Sequence, residues 1–131
     1  MRKQELIWLD TVENPEGQME LIIKYRGSTN EENAAVLLEI RDKNNVLVKE
    51  KDELRQDTAR VKTAVFKCQG VLCWTPDNPA LYQVNIVLEL SDKNNEKTYI
   101  RHGQKLGFRS LKRQNQQVFW NHKPVKLLGI C

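Results

Sequence analysis

Between Tyr82 and Leu90, every second residue is a large apolar side chain. Tyr82, Val84, Ile86, Leu88 and Leu90 fall on one side, with Gln83, Asn85, Val87 and Glu89 between them. A repeat of two belongs to an extended strand, because successive side chains point to opposite faces. Burying those five side chains contributes roughly 1.5–3 kcal/mol each before chain entropy is counted. A strand like this needs a second layer to bury its face. Other segments repeat the pattern. Met19, Leu21, Ile23 and Tyr25 alternate with Glu20, Ile22, Lys24 and Arg26, and Val36, Leu38 and Ile40 alternate with Leu37, Glu39 and Arg41. Val46 and Val48 follow after a turn, and Ala64, Phe66 and Cys68 alternate with Val65 and Lys67. Leu6 to Leu9 and Lys97 to His102 complete a set of about seven strands. No segment shows a sustained helical stripe, and the charged stretch Glu50 to Arg60 reads as a loop or an edge, with a helical turn as the lesser alternative.

One string occurs twice. Leu38-Glu39-Ile40-Arg41-Asp42-Lys43-Asn44-Asn45 is echoed by Leu88-Glu89-Leu90-Ser91-Asp92-Lys93-Asn94-Asn95. Asp and Asn bond their own backbone and tolerate left-handed conformations, so both copies predict hairpin turns. A duplicated ligand site is the sharper alternative, but each copy offers a single carboxylate. Two hairpins among short, turn-bounded strands predict an all-β, two-sheet antiparallel sandwich of the immunoglobulin-like type.

With 131 residues the chain has room for one core, and 40% hydrophobic with 29% charged residues is ordinary for a soluble domain. No apolar run reaches membrane-spanning length, and Met1 to Asp10 holds no signal-type apolar stretch. The net charge of +4 is mild. Lys105, Arg109, Lys112 and Arg113, followed by Lys123 and Lys126, form the densest basic cluster. Strand alternation would split it between two faces, so it reads as solvated surface, with an anion site as the alternative and no nucleic-acid partner expected. Cys68 and Cys73 lack zinc-ligand spacing, and only His102 and His122 could join them. Cys68 reads as a small core residue, with a Cys68–Cys73 disulfide left as the lesser reading; Cys131 makes the count odd.

The stretch Trp74-Thr75-Pro76-Asp77-Asn78-Pro79-Ala80-Leu81-Tyr82 precedes the cleanest strand. Its two prolines cannot sit in a central strand, so it predicts a rigid bend, with Trp74 before it and Leu81 and Tyr82 after it packed into the core. A tyrosine at such a position often ties its hydroxyl to nearby backbone. The stretch resembles the Trp-Ser-Pro-Glu-Asn-Pro-x-Leu-Tyr signature of the immunoglobulin-like domain in glycoside hydrolase family 2, which includes β-galactosidases, β-glucuronidases and β-mannosidases. Gly107-Phe108-Arg109 is similar to that family's Gly-Phe-Arg on the last sandwich strand. Phe119-Trp120-Asn121-His122-Lys123-Pro124-Val125-Lys126-Leu127-Leu128-Gly129-Ile130 is similar to its Phe-x-Leu-Asn-Gly-Lys-Pro-x-x-Leu-x-Gly-Val segment, which leads into a catalytic barrel. Trp120 and His122 depart from the usual Leu and Gly, and Leu128 stands where a basic residue is common. Residues 1 to 70 match in strand pattern alone.

The resemblance implies a sandwich over residues 1–113 and a lead-in over 114–131 to a barrel that would need roughly 250 residues more. It implies neighbouring domains as partners, a jelly roll before and the barrel after, with subunit contacts in the parent open. It implies no catalytic, cofactor or metal residue in this chain. Retaining hydrolysis needs two carboxylates about 5 Å apart, and no such pair is apparent; Glu31 and Glu32 fall in the polar loop Ser28 to Asn33. His102 and His122 have no nucleophile partner by motif. The expected role is that of a non-catalytic scaffold in a β-galactosidase-like parent of unassigned compartment. A freestanding carbohydrate-binding module and an adhesion domain share the fold and stay open. Of the tryptophans that could stack on sugars, Trp74 is expected in the core, Trp120 against the barrel, and Trp8 is undecided.

Overall fold

The computed structural model describes residues 5–27, 33–58, 60–109 and 116–120, with the backbone alone at residue 5 and at 116–120. In chain order the strands are β1 (Glu5–Glu13), β2 (Met19–Arg26), β3 (Asn33–Asp42), β4 (Asn45–Glu53) and β5 (Arg55–Thr58). They continue with β6 (Val61–Lys67), β7 (Tyr82–Ser91), β8 (Lys97–Leu106) and β9 (Gln116–Trp120). No helix occurs among the described residues.

Two sheets form, one in the order β5-β6-β2-β1-β9 and the other β4-β3-β7-β8. Every pairing between these strands is antiparallel. Lettered along the chain, the first four strands of one sheet read D-E-B-A and the other sheet reads C′-C-F-G, which is the immunoglobulin-like arrangement. The chain crosses between sheets from β2 to β3, from β4 to β5, from β6 to β7 and from β8 to β9. Leu54, 6% exposed, pins the second crossing by donating its N–H to the Ala34 carbonyl at 2.8 Å.

The core is the space between the two inner faces. From one side it receives Ile7, Leu9, Leu21, Ile23, Tyr25 and Phe66; from the other come Val36, Leu38, Ile40, Val84, Ile86 and Leu88, all at most 2% exposed. β7 alternates buried and half-buried over its whole length, as its repeat of two requires. Cys68 is also buried, and both it and Cys73 are free thiols.

The seven strands read from periodicity are all present, and β5 and β9 are additional. β5 has four residues, all exposed, so no buried face marks it in the sequence; it forms because the charged stretch supplies an edge for β6. β9 lies beyond residue 113. Gln116–Trp120 is rich in strand formers and pairs with β1 from Glu5↔Trp120 to Leu9↔Gln116, covering that strand's otherwise open edge.

The repeated Asp-Lys-Asn-Asn makes hairpin turns in both places, but the turns differ. At β3–β4, Asp42 pairs directly with Asn45 and Lys43 takes φ +57°, with a bulge after Ile40/Arg41. At β7–β8 the loop is longer. Asp92 Oδ1 accepts the N–H groups of Asn94 and Glu96, and Asn95 takes φ +64°. The β1–β2 loop has the same design, with Asn14 Oδ1 accepting from Glu16 and Gln18 and Gly17 at φ +84°.

On the outer face of the four-stranded sheet, Glu89 lies between Lys51 and Lys97, 3.0 Å and 3.1 Å from their Nζ atoms. The hydrogen bonds from Lys51 and then Lys97 hold the Glu89 carboxyl below the usual glutamate range. A depressed native value means the unfolded chain binds the proton more readily as pH falls. The contribution of Glu89 is therefore present above the ordinary glutamate range and is lost as pH drops through the native value. Urea midpoints of the wild type and Glu89→Gln are expected to differ at neutral pH and converge in acid; a gap constant from neutral pH to pH ~3 would refute the assignment.

Candidate functional site

The crossing from β6 to β7 is where the sequence concentrates its unusual chemistry. After β6 the backbone turns at Gly70, at φ +83°, a conformation that suits glycine. Cys68 N–H has already bonded the Met19 carbonyl at 2.9 Å, and Val71 is buried. Leu72 N–H then donates to the Tyr82 hydroxyl at 2.8 Å. Tyr82 is 4% exposed, so one side chain both fills the core and satisfies the backbone of the crossing.

Beyond it, Cys73 bridges Phe108 in a single parallel pairing, and Trp74 N–H donates to the Phe108 carbonyl. Thr75 to Asn78 close a tight turn. Asn78 N–H reaches the Thr75 carbonyl at 3.1 Å and its Oγ1 at 3.0 Å, while Thr75 N–H returns to the Asn78 carbonyl at 3.2 Å. Ala80 N–H adds a bond to the same carbonyl at 2.8 Å. Pro76 and Pro79 sit where no N–H is required, and both are exposed.

The Gly107-Phe108-Arg109 segment arrives from the other side, just after β8. Phe108 is fully buried and meets the Tyr82 ring edge-on, with centroids 5.9 Å apart at 77°. A Cβ on Gly107 would fall 2.8 Å from Trp74 Cδ1 and 3.3 Å from Leu81 Cδ2, so the indole and Leu81 occupy the space that glycine vacates. The Arg109 guanidinium lies 4.3 Å from the centre of the Trp74 ring. Its Nε is buried and makes no hydrogen bond among the described residues, so the ring's π-face is its main contact. Arg109 N–H bonds Thr11 Oγ1 on β1 at 3.4 Å, tying the cluster to the other sheet.

Of the residues singled out in the sequence, Trp74, Pro76, Asn78, Pro79, Leu81, Tyr82, Gly107, Phe108 and Arg109 thus come together at one end of the sandwich. Two of them differ from their expected placement. Leu81 is 52% exposed, and Trp74 is half-buried under Arg109 rather than inside the core. The reason is parity: Tyr82 takes the inward position at the start of β7, so its neighbour Leu81 is left outside. Phe119 falls on β9, described in backbone alone, and Asn121, Lys123, Pro124 and Gly129 lie outside the described residues, as do Glu31, Glu32, Lys112, Arg113, His122 and Cys131. Sequence reading missed Thr11, whose role depends on a partner ninety-eight positions away.

Little in this cluster can do covalent chemistry. Burial pushes the Cys68 thiol up to about 12, so it stays protonated and inert. His102 is bonded to Gln104 at 2.9 Å on β8. No group of three His, Cys, Asp or Glu side chains suited to a metal ion occurs among the described residues. What the corner does present is hydrocarbon: Leu72 is 58% exposed and joins Leu81, Pro76 and Pro79 at the surface.

The strand order and this corner together make the molecule an immunoglobulin-like sandwich domain, with an indole held between a glycine and an arginine. The family model for Glycosyl hydrolases family 2 matches residues 7–109, and the chain belongs to that family. The match takes in both halves of the corner, Trp74–Tyr82 and Gly107–Arg109. No curated protein matches the chain.

Three variants at two positions probe the corner. Tyr82→Phe, which leaves Leu72 N–H without its acceptor, is expected to cost about 1 kcal/mol in urea melts, and Tyr82→Ala about 3–5 kcal/mol. Equal losses for the two would show that the hydroxyl, and not the ring, carries the position. Gly107→Ala is expected to displace the indole, lowering stability by about 1–3 kcal/mol and weakening the near-ultraviolet circular dichroism of the tryptophans; an unchanged spectrum would contradict the clamp.

Proposed function

We propose that this chain is a non-catalytic scaffold domain of a retaining glycoside hydrolase, in a β-galactosidase-like parent. In that parent it would stand between a preceding jelly-roll domain and a catalytic barrel whose own carboxylates perform hydrolysis. The observation that carries the reading is the asymmetry of the corner. Its inner half is locked by the Tyr82–Leu72 bond and the Arg109–Trp74 contact, while its outer half exposes Leu72 and Leu81. A stiff corner with an apolar tip is suited to hold a neighbouring domain at a fixed angle, since exposed apolar area clustered at one place marks an interaction surface. Among the described residues the space between the sheets is occupied mainly by hydrocarbon, which suits a structural role. β-Glucuronidase and β-mannosidase parents fit the same corner, because glycoside specificity in this arrangement would reside in the barrel.

Charged replacements test the docking role. The double variant Leu72→Asp with Leu81→Asp is expected to leave the melting of this chain within ~0.5 kcal/mol, as surface changes do. The same pair in the full-length parent is expected to shorten its activity half-life on heating. A parent indifferent to both charges would overturn the docking role, and turnover of nitrophenyl β-galactoside, β-glucuronide or β-mannoside by the purified chain would overturn the non-catalytic one.

A further inference from the structure

The outer face of the four-stranded sheet holds a depression of about 480 Å³, lined by residues of all four strands, that the scaffold role does not use. Strand register places Lys49, Glu39, Asn85 and Gly103 in one row across β4, β3, β7 and β8. Leu37, Val87 and Arg101 lie in the adjoining row. Gly103 shapes the dish: a Cβ there would stand 2.7 Å from Asn85 Oδ1 and 3.2 Å from Gln83 Nε2. The Asn85 amide can lie across β8 only because this position has no side chain.

The polar groups are held in place before any ligand arrives. Gln83 Nε2 donates to Asn85 Oδ1 at 2.9 Å, and Asn85 Nδ2 donates to Glu39 Oε1 at 3.3 Å. Arg41 Nε stands 3.7 Å from the same Glu39 oxygen. Glu39 is therefore engaged, whereas Lys49 and Arg101 have no ion-pair or hydrogen-bond partner among the described residues. Those two residues stand at opposite ends of the dish, three strand spacings across and two residues along, roughly 16 Å apart between Cα positions. Half-exposed Leu37 and Val87 supply a shallow hydrocarbon floor between them.

We propose that this face binds an anionic saccharide, a chain containing uronic acid residues. Arg101 would take the sugar carboxylate in a forked, charge-assisted pair. Asn85 and Glu39 would take ring hydroxyls, and the C–H face of a pyranose would rest on Leu37 and Val87. The charge balance favours an anion, because both uncommitted groups in the lining are cationic. The fixed amide–carboxylate row and the flat floor favour a saccharide over an acidic peptide, whose side chains would seek a deeper anchor pocket. The inference rests on membership in a carbohydrate-processing family and is independent of the scaffold role.

The test is a titration of the ¹⁵N-labelled chain with a tetrameric oligouronate, alongside a neutral glucan tetramer and an oligoaspartate of equal charge. Amide shifts grouped at Leu37, Asn85, Arg101 and Gly103 with the oligouronate are expected, with the glucan inactive. Arg101→Gln should weaken binding about ten-fold, the loss of a charged hydrogen bond. Gly103→Ala, which keeps the charge but displaces the Asn85 amide, should weaken it as well. Lys67→Gln, on the opposite sheet, should change nothing. The absence of shifts would overturn the proposal, as would equal binding of the glucan, oligoaspartate binding as tight as the oligouronate, or equal weakening by Arg101→Gln and Lys67→Gln. None of these outcomes bears on glycoside turnover or on parent stability, so failure here is distinct from failure of the scaffold role.

Discussion

Alternate side chains of β7 are sealed between two sheets, and the rest of the molecule follows from accommodating that strand. A strand central to its sheet needs hydrogen-bonded neighbours on both edges, which β3 and β8 provide. Its apolar side needs a facing layer, which β1, β2 and β6 provide. The demand is strict because a slip of one residue would exchange Ile86 and Leu88 for Asn85 and Val87 at the core. The start of the strand must therefore be fixed, and the proline corner fixes it. Tyr82 is the first inward residue, and its hydroxyl is bonded to the chain that delivers it.

The corner also shows how a local rule can produce an exposed apolar surface without any defect of folding. Once Tyr82 is inside, Leu81 must be outside, and Leu72 and Leu81, on either side of the proline turn, are both exposed. Trp74 occupies an intermediate place. It lies over Gly107 with a guanidinium above it. The contact desolvates part of an arginine against a ring, which is tolerable because the π-face attracts the cation. A cluster so organised transmits little give from one sheet to the other, since Arg109 is bonded at the same time to Thr11. Bonding at the base and hydrocarbon at the tip are separate properties, and the scaffold proposal depends on both.

What was legible in the sequence was whatever depends on burial with a short period. The inward faces of β2, β3 and β7, the bend at Pro76 and Pro79, and the buried Cys68 all follow from alternation or from the missing proline N–H. What was not legible depends on pairing across distance. β5 has no buried face to announce it, and β9 is recognisable as a strand only once β1 presents an open edge. The two Asp-Lys-Asn-Asn turns are identical in letters, yet a bulge in the first hairpin shifts its register and gives a tighter reversal. The Trp74 contacts were hidden for the same reason, because Gly107 and Arg109 lie more than thirty positions away in the chain.

The outer face of the four-stranded sheet follows a different logic from the core. Among the described residues no second layer covers it, so its side chains can serve contact with something else, or solubility alone. Solubility alone would be met by scattered lysines and glutamates, and the Lys51–Glu89–Lys97 trio fits that description. It does not account for a glycine in the middle of β8, where a bare backbone weakens the strand. Nor does it account for an amide laid into the space above that glycine and bonded onward to a carboxylate. A weakened strand position joined to an ordered polar row is a cost without a structural return, and such costs are where binding surfaces are to be sought.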